Sequence, residues 1–194
     1  MTIITTTKQM RPRDVNDFYP TPASHVRSAL RTVDGLLTFP PATIIDPGAG
    51  TGVWGVEAKR LWTSAHVCGI ELRDVDAPGE YDEWYHEDFR LWTPPIMSVD
   101  LVIGNPPYKY AEQFVRLGLG MLVHNGIMAY LLRLAFLEGQ DRGRDLWSKY
   151  PPCLVEVCSE RPSFTGDGKT DATAYGIFYW RKGWHGETEL SWLK

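Results

Sequence analysis

Short, dense apolar runs alternate along this chain with longer stretches in which apolar residues recur at helical spacing. The runs cover 44–46, 66–71, 99–104, 126–132, 153–158 and 174–180. Runs of this length predict strands, the central ones buried on both faces. Residues 22–37, 53–61 and 111–123 have the periodicity of amphipathic helices. Thr21 is the expected N-cap of the first helix and Pro22 its first residue, where a missing N–H costs nothing. A further short strand and turn is expected at 85–89. The polar stretch 136–150 is compatible with a helix, although Gly139 and Gly143 weaken it. Strands and helices in alternation predict an open α/β sheet. No internal repeat and no linker divides the chain, so 1–194 is expected to form one domain with 1–13 as a flexible lead-in.

Two strand ends carry candidate chemistry. The first is Asp46-Pro47-Gly48-Ala49-Gly50-Thr51-Gly52, between the strand at 44–46 and the helix at 53–61. Glycine admits positive φ and close backbone approach to a ligand. The dinucleotide fingerprint needs its third glycine at position 53, which is Val53, so a nicotinamide cofactor is disfavoured. Asp46 would stand at the carboxyl end of its strand, where open α/β sheets bind ligands, and a carboxylate there suits a cationic cofactor. Glu71 ends the next strand about twenty residues on, the position from which an acid accepts from ribose hydroxyls. The second strand end is Asn105-Pro106-Pro107-Tyr108, directly after the run 99–104. An amide oxygen accepts a hydrogen bond from an exocyclic N–H, and an aromatic ring offers a stacking face. Two prolines hold both in place before anything binds.

Taken together, Asp46-Pro47-x-x-Gly50-x-Gly52 and Asn105-Pro106-Pro107-Tyr108 resemble the S-adenosylmethionine-dependent amino-methyltransferases, the adenine-N6 DNA methyltransferases in particular. Asp17-Phe18-Tyr19-Pro20-Thr21-Pro22 resembles the motif that opens such enzymes when the cofactor-binding half comes first. The resemblance runs from about residue 14 to 182. It implies a class I methyltransferase (Rossmann-like) fold: a seven-stranded, mostly parallel sheet with the last strand antiparallel and helices on both faces. It implies S-adenosylmethionine as the cofactor, held by Phe18, Tyr19, Thr21, Asp46, Gly48, Gly50, Gly52, Glu71, Asp88 and Phe89. Of these, Asp88 would accept from the cofactor's adenine amine and Phe89 would pack near its ring. Asn105 and Pro106 would accept from the target amine, with Tyr108 stacked on the base. Pro107, Phe164 and Lys169 would complete the substrate side, Phe164 resembling the aromatic that packs on the target base.

The same motif serves enzymes that methylate RNA adenines or protein glutamines, because each substrate presents a planar NH₂. The opening motif favours DNA, double- or single-stranded with the adenine flipped out. Sequence-specific relatives place a target-recognition region after the last core motif, whereas little chain follows Trp180 here. Specificity is therefore expected to be low, to lie in loops such as 73–84 and 138–149, or to come from a partner or homodimer. Small enzymes of this kind are often carried by phages, which makes protection from restriction an expected role. A non-catalytic relative acting as a nucleic-acid-binding module is the alternative outside enzymology.

Composition sets limits on these readings. The net charge of −4 runs against a nucleic-acid enzyme, since phosphate neutralisation dominates affinity. Seven acids and no base lie between Asp74 and Asp88, beside the expected cofactor strand. From 109 to 182, ten bases stand against eight acids, a balance that permits DNA binding without demanding it. Cys68, Cys153 and Cys158 have neither zinc spacing nor an even count and are expected as buried thiols of a reducing compartment, with no metal site. No run reaches membrane-spanning length and no secretion signal opens the chain, so a cytoplasmic location is expected.

Overall fold

The computed structural model describes residues 20–93, 98–165, 167, 170 and 172–194. Phe18, Tyr19 and Lys169 of the expected site lie outside the described residues.

Helix α1 (Ala23–Leu36) presents Val26, Ala29, Leu30 and Val33 on one buried stripe. Its first amide bonds, from His25 and Val26, go to the Pro22 carbonyl at 3.0 and 3.3 Å, so Pro22 is the capping residue. Thr21 turns inward instead, its hydroxyl accepting from the Trp54 indole N–H at 3.2 Å. After α1 come strand β1 (Thr43–Pro47), helix α2 (Val53–Leu61), strand β2 (His66–Ile70) and the short strand β3 (Glu83–Tyr85). The second half comprises β4 (Val99–Gly104), α3 (Ala111–Met121), β5 (Leu122–Arg133), β6 (Leu154–Val157), β7 (Tyr175–Arg181) and β8 (Glu189–Trp192).

The strands form one sheet in the order β3-β2-β1-β4-β5-β7-β6-β8. Neighbours run parallel except around β7, which is antiparallel to both β5 and β6. The expected sheet is present, and β8 extends it by an eighth strand at the edge, parallel to β6. Side chains alternate across the sheet. Ile44, Leu101, Ile103, Ile127, Ala129 and Ile177 pack beneath α1 and α2. Ile45, Val102, Met128, Tyr130, Leu132 and Phe178 pack against α3 and the helical turns at 140–147. Helices therefore cover both faces, which is why the central strands read as unbroken apolar runs.

Two features fix the sheet's centre. The Asp100 carboxylate accepts the Ala42 and Thr43 amides at 2.9 Å each and so pins the start of β1 to β4. The helix expected to reach 123 stops at Met121, because β5 begins at Leu122 with a bulge and Asn125 at φ 66°. Strand order reverses at β1, from which the chain winds to β2 on one side and reaches β4 on the other. A crevice opens at the carboxyl ends of strands at such a point, and it is where open α/β sheets bind ligands.

Candidate functional site

Gly48, Gly50 and Gly52 leave β1 with φ of 68°, 65° and 77°, all in the left-handed region that side chains resist. The turn folds over the end of β2, with the Gly48 and Ala49 amides donating to the Ile70 carbonyl at 2.8 and 3.1 Å. Lacking side chains, Gly48 and Gly50 leave bare backbone along a cleft of about 250 Å³ at the switch point, whereas Gly52 faces Pro78 and Tyr81 away from the lining. Pro20, Val53, Leu72, Phe89, Pro107 and Phe114 supply its apolar walls, while Glu71, Asp88, Arg90, Asn105 and Lys109 supply its polar ones. Glycine turn and Asn-Pro-Pro-Tyr turn, about 55 residues apart in sequence, line the same space.

Each acid expected to hold the cofactor is already engaged by the protein. Glu71, just past β2, accepts the Gly50 amide on Oε2 at 2.7 Å and the Arg73 amide and Nε on Oε1 at 2.9 Å. It thereby braces the glycine turn while still facing the cleft. Asp88 accepts from the Arg90 backbone amide and its guanidinium, which holds the carboxyl below the usual range. The Arg90 guanidinium in turn lies 3.9 Å from the centre of the Tyr110 ring. Phe89 is buried, its ring 4.9 Å from that of Phe114.

Asp46 is brought beneath the glycine turn and away from the cleft lining. It is fully buried; its Oδ2 accepts from the Tyr81 hydroxyl at 2.6 Å and its Oδ1 has no partner among the described residues. Burial pushes its carboxyl up to about 7, against the pull of the Tyr81 hydroxyl and the Gly55 amide and with a push from Glu71.

On the far side of the cleft, Asn105 follows Gly104, and Pro107 and Phe114 stand at van der Waals distance from where a Gly48 side chain would begin. Pro106 is buried and is not part of the cleft lining. Tyr108 turns away from the cleft lining toward β5 and β7, where the Arg133 guanidinium lies 4.6 Å from its ring centre and Tyr175 packs at 5.8 Å. Phe164 meets Tyr175 edge-on at 5.1 Å, so the expected substrate aromatics are joined through a β7 residue. Asn105, Pro107, Glu71, Asp88, Phe89, Gly48, Gly50 and Thr21 thus converge on the cleft; Asp46, Tyr108 and Phe164 stand behind or beside it.

Sequence reasoning missed Tyr81, Arg90, Tyr110, Arg133 and Tyr175. Tyr81 sits in an acid-rich stretch, and its partner Asp46 is 35 residues away, so no local pattern marks it. Arg90 alone had a local signal, an arginine two residues after an acid expected at the site.

No family model matches the chain. A type II methyltransferase, M.CvrRI from Paramecium bursaria Chlorella virus XZ-6E, is 30% identical over 74 residues, covering 36% of this chain and 19% of that protein. The chain therefore matches about a fifth of the length of this curated relative. Among solved structures, a protein from Listeria monocytogenes described as a class I S-adenosylmethionine-dependent methyltransferase superposes with a TM-score of 0.70 at 16% identity. That match covers 94% of this chain and 68% of the other. The M protein of the type I restriction enzyme EcoKI superposes with a TM-score of 0.64 at 17% identity, over 88% of this chain and 45% of that one. The superposition over 94% of the chain gives it the class I S-adenosylmethionine-dependent methyltransferase fold.

Proposed function

We propose that the protein transfers a methyl group from S-adenosylmethionine to the exocyclic N6 amine of adenine in DNA. One observation carries the reading: Asn105 and the left-handed Gly48 and Gly50 just past β1 line one cleft, so an amine acceptor and a bound donor would share it. The partial likeness to a type II methyltransferase and the fold shared with a restriction M protein support DNA as the substrate. The cleft also fits the donor. Bare glycine backbone, apolar walls at Val53, Ile70 and Phe89, and the Glu71 and Asp88 carboxylates match an adenosyl group with ribose hydroxyls and an amine.

When bound, S-adenosylmethionine would supply an electrophilic methyl on a sulfonium with a neutral thioether as leaving group, and the methylated nitrogen would then give up one proton to solvent. The chain's own task is to make a poor nucleophile reactive, because an adenine amine shares its lone pair with the ring. Two oxygens, from the Asn105 side chain and the Pro106 carbonyl, accept the amine's hydrogens and draw the nitrogen toward a tetrahedral state. The same oxygens stabilise the positive charge that grows there, an arrangement set in advance by the two prolines. Holding both reactants in one cleft contributes the rest. The base must leave the duplex to reach Asn105. Tyr108, its ring backed by Arg133 and Tyr175, is the stacking surface for it.

Tritiated methyl transfer to unmethylated DNA, RNA and a protein extract in parallel tests the assignment. Label is expected in DNA. Label confined to RNA or to protein reassigns the substrate, and label in none of the three contradicts an active enzyme.

A further inference from the structure

Tyr81 belongs to no expected motif, yet its hydroxyl joins three groups beneath the cleft. Its hydroxyl donates to Asp46 Oδ2 at 2.6 Å, accepts from the Gly55 amide at 3.0 Å, and stands 3.0 Å from the Gly52 carbonyl. The ring fills space that side chains would otherwise occupy. A Cβ on Gly55 would fall 2.2 Å from Tyr81 Cζ, and Cβ atoms on Gly52 and Gly69 would fall within 2.9 and 2.8 Å of the same ring. This single residue, two positions ahead of β3, therefore touches the end of β1, the glycine turn and the start of α2.

A tyrosine hydroxyl has one proton to give. With Asp46 ionised, the hydroxyl keeps that proton and donates it in a hydrogen bond to Oδ2. With Asp46 protonated on Oδ2, the acid donates to Tyr81, and the hydroxyl's proton turns to the Gly52 carbonyl, the oxygen that already accepts the first amide of α2 from Val56. The hydrogen-bonding state of the glycine turn is thus tied to the charge on Asp46. The other groups facing that carboxylate are few. Glu71 lies just past β2, Cys68 lies on β2, and Tyr130 of β5 has a buried hydroxyl with no partner among the described residues. From β4, Gly104 approaches so closely that a Cβ there would be 3.0 Å from the unpartnered Oδ1. No cation is among these groups.

We infer that Tyr81 is the positioning residue of this cleft: through the Asp46 carboxylate it couples proton release to the glycine turn, so that a cationic methyl donor binds more tightly once Asp46 is ionised. The inference rests on the cleft holding S-adenosylmethionine. A negative charge buried without a countercharge favours a cation nearby, and binding of the donor drives the proton off. The Tyr81 hydroxyl stabilises the ionised acid, so removing it moves that ionisation to higher pH.

The test is calorimetric titration of S-adenosylmethionine, without acceptor, into the full chain from mildly acid to mildly alkaline pH. For the natural protein the affinity is expected to rise about tenfold across the region around neutrality, one decade for each unit of coupled pKa shift. In Tyr81→Phe, which keeps the packing ring, the rise is expected to move up by about one pH unit, the shift produced by loss of a hydrogen bond to a charged group. In Asp46→Asn the profile, corrected for the donor's own amine, is expected to be flat. Comparison between variants cancels the donor's own titration. A Tyr81→Phe profile lying on the natural one, or lowered equally at every pH, overturns the inference and leaves Tyr81 a packing residue. A companion denaturation series on the unliganded proteins separates two kinds of failure. If no S-adenosylmethionine binds at any pH, the reading of the cleft falls and the coupling falls with it. If it binds but neither stability nor affinity moves along the pH axis in Tyr81→Phe, only the coupling is wrong.

Discussion

At Gly52 two independent demands fall on one position. Its φ of 77° disfavours a side chain, and a Cβ would stand 2.5 Å from Pro78 Cγ and 2.9 Å from the Tyr81 ring. Gly52→Ala is expected to cost about 1–2 kcal/mol for the left-handed backbone and about 1–3 kcal/mol for crowding, read as a lower denaturant midpoint. At Gly35 no atom lies within reach of an added Cβ, and alanine there is expected to be neutral or stabilising. Asp46 predicts a pH dependence of opposite sign to that of an ordinary paired carboxylate. Burial raises its folded pKa from 3.8 to about 7, so the folded state binds a proton that the unfolded state releases. The stability this represents is complete below about pH 4 and lost as pH rises through 7. Asp46→Asn is therefore expected to narrow the stability difference between pH 5 and pH 8, measured by urea denaturation; an unchanged difference contradicts the assignment. The three thiols are buried, and burial pushes those of Cys68 and Cys158 up to about 12. All three are expected to resist alkylation until the chain unfolds.

Among the elements, those that bury a face were the legible ones. The run 99–104 reads as a strand because both of its faces are covered, and Asn105 is placed by its end. The strand β8 had no such signal: Leu190 and Trp192 stay largely exposed, and four residues beside an edge bury too little to leave a pattern. The stretch 136–150 is helical over 140–147, separated from the turn before it by Gly139 at φ 116°, while Gly143 keeps a helical backbone. Long-range polar contacts were equally invisible. Glu156 of β6 is buried, and its Oε2 accepts from Tyr179 of β7 at 2.6 Å and from Thr32 of α1 at 3.0 Å. This carboxylate fastens the first helix to the last core strands. Tyr179→Phe is expected to cost about 1–3 kcal/mol by leaving the acid short of a donor, whereas Thr32→Ala, with Tyr179 still in place, costs less. Equal stability of all three proteins would show that the contact does not hold α1.

For the molecule as a whole, charge and site geometry divide the surface. The acid-rich segment between Asp74 and Asp88 runs to β3 at one edge of the sheet, with Asp82 tied to Lys59 and the Val67 amide. The Tyr108–Tyr175–Phe164 aromatics and Arg133 lie on the other side of the cleft, above β5 and β7. A nucleic acid approaching from that side avoids the acids, but the ten bases from 109 to 182 are offset by eight acids, and the net charge of −4 opposes dense phosphate contact. The proposed DNA complex is therefore expected to show a shallow salt dependence, with a slope of log affinity against log salt weaker than about −5. A slope near −8, typical of about nine phosphate contacts, contradicts that picture. The proposed reaction divides its tasks, Asn105 serving the transfer and the glycine turn serving the donor. It is tested most directly by measuring S-adenosylmethionine affinity and methyl transfer to DNA side by side for Asn105→Ala. Near-natural affinity is expected, with transfer reduced at least about a hundredfold, the scale of removing one preorganised polar group from a reacting centre. Transfer that survives, or affinity that falls in step with it, contradicts the account.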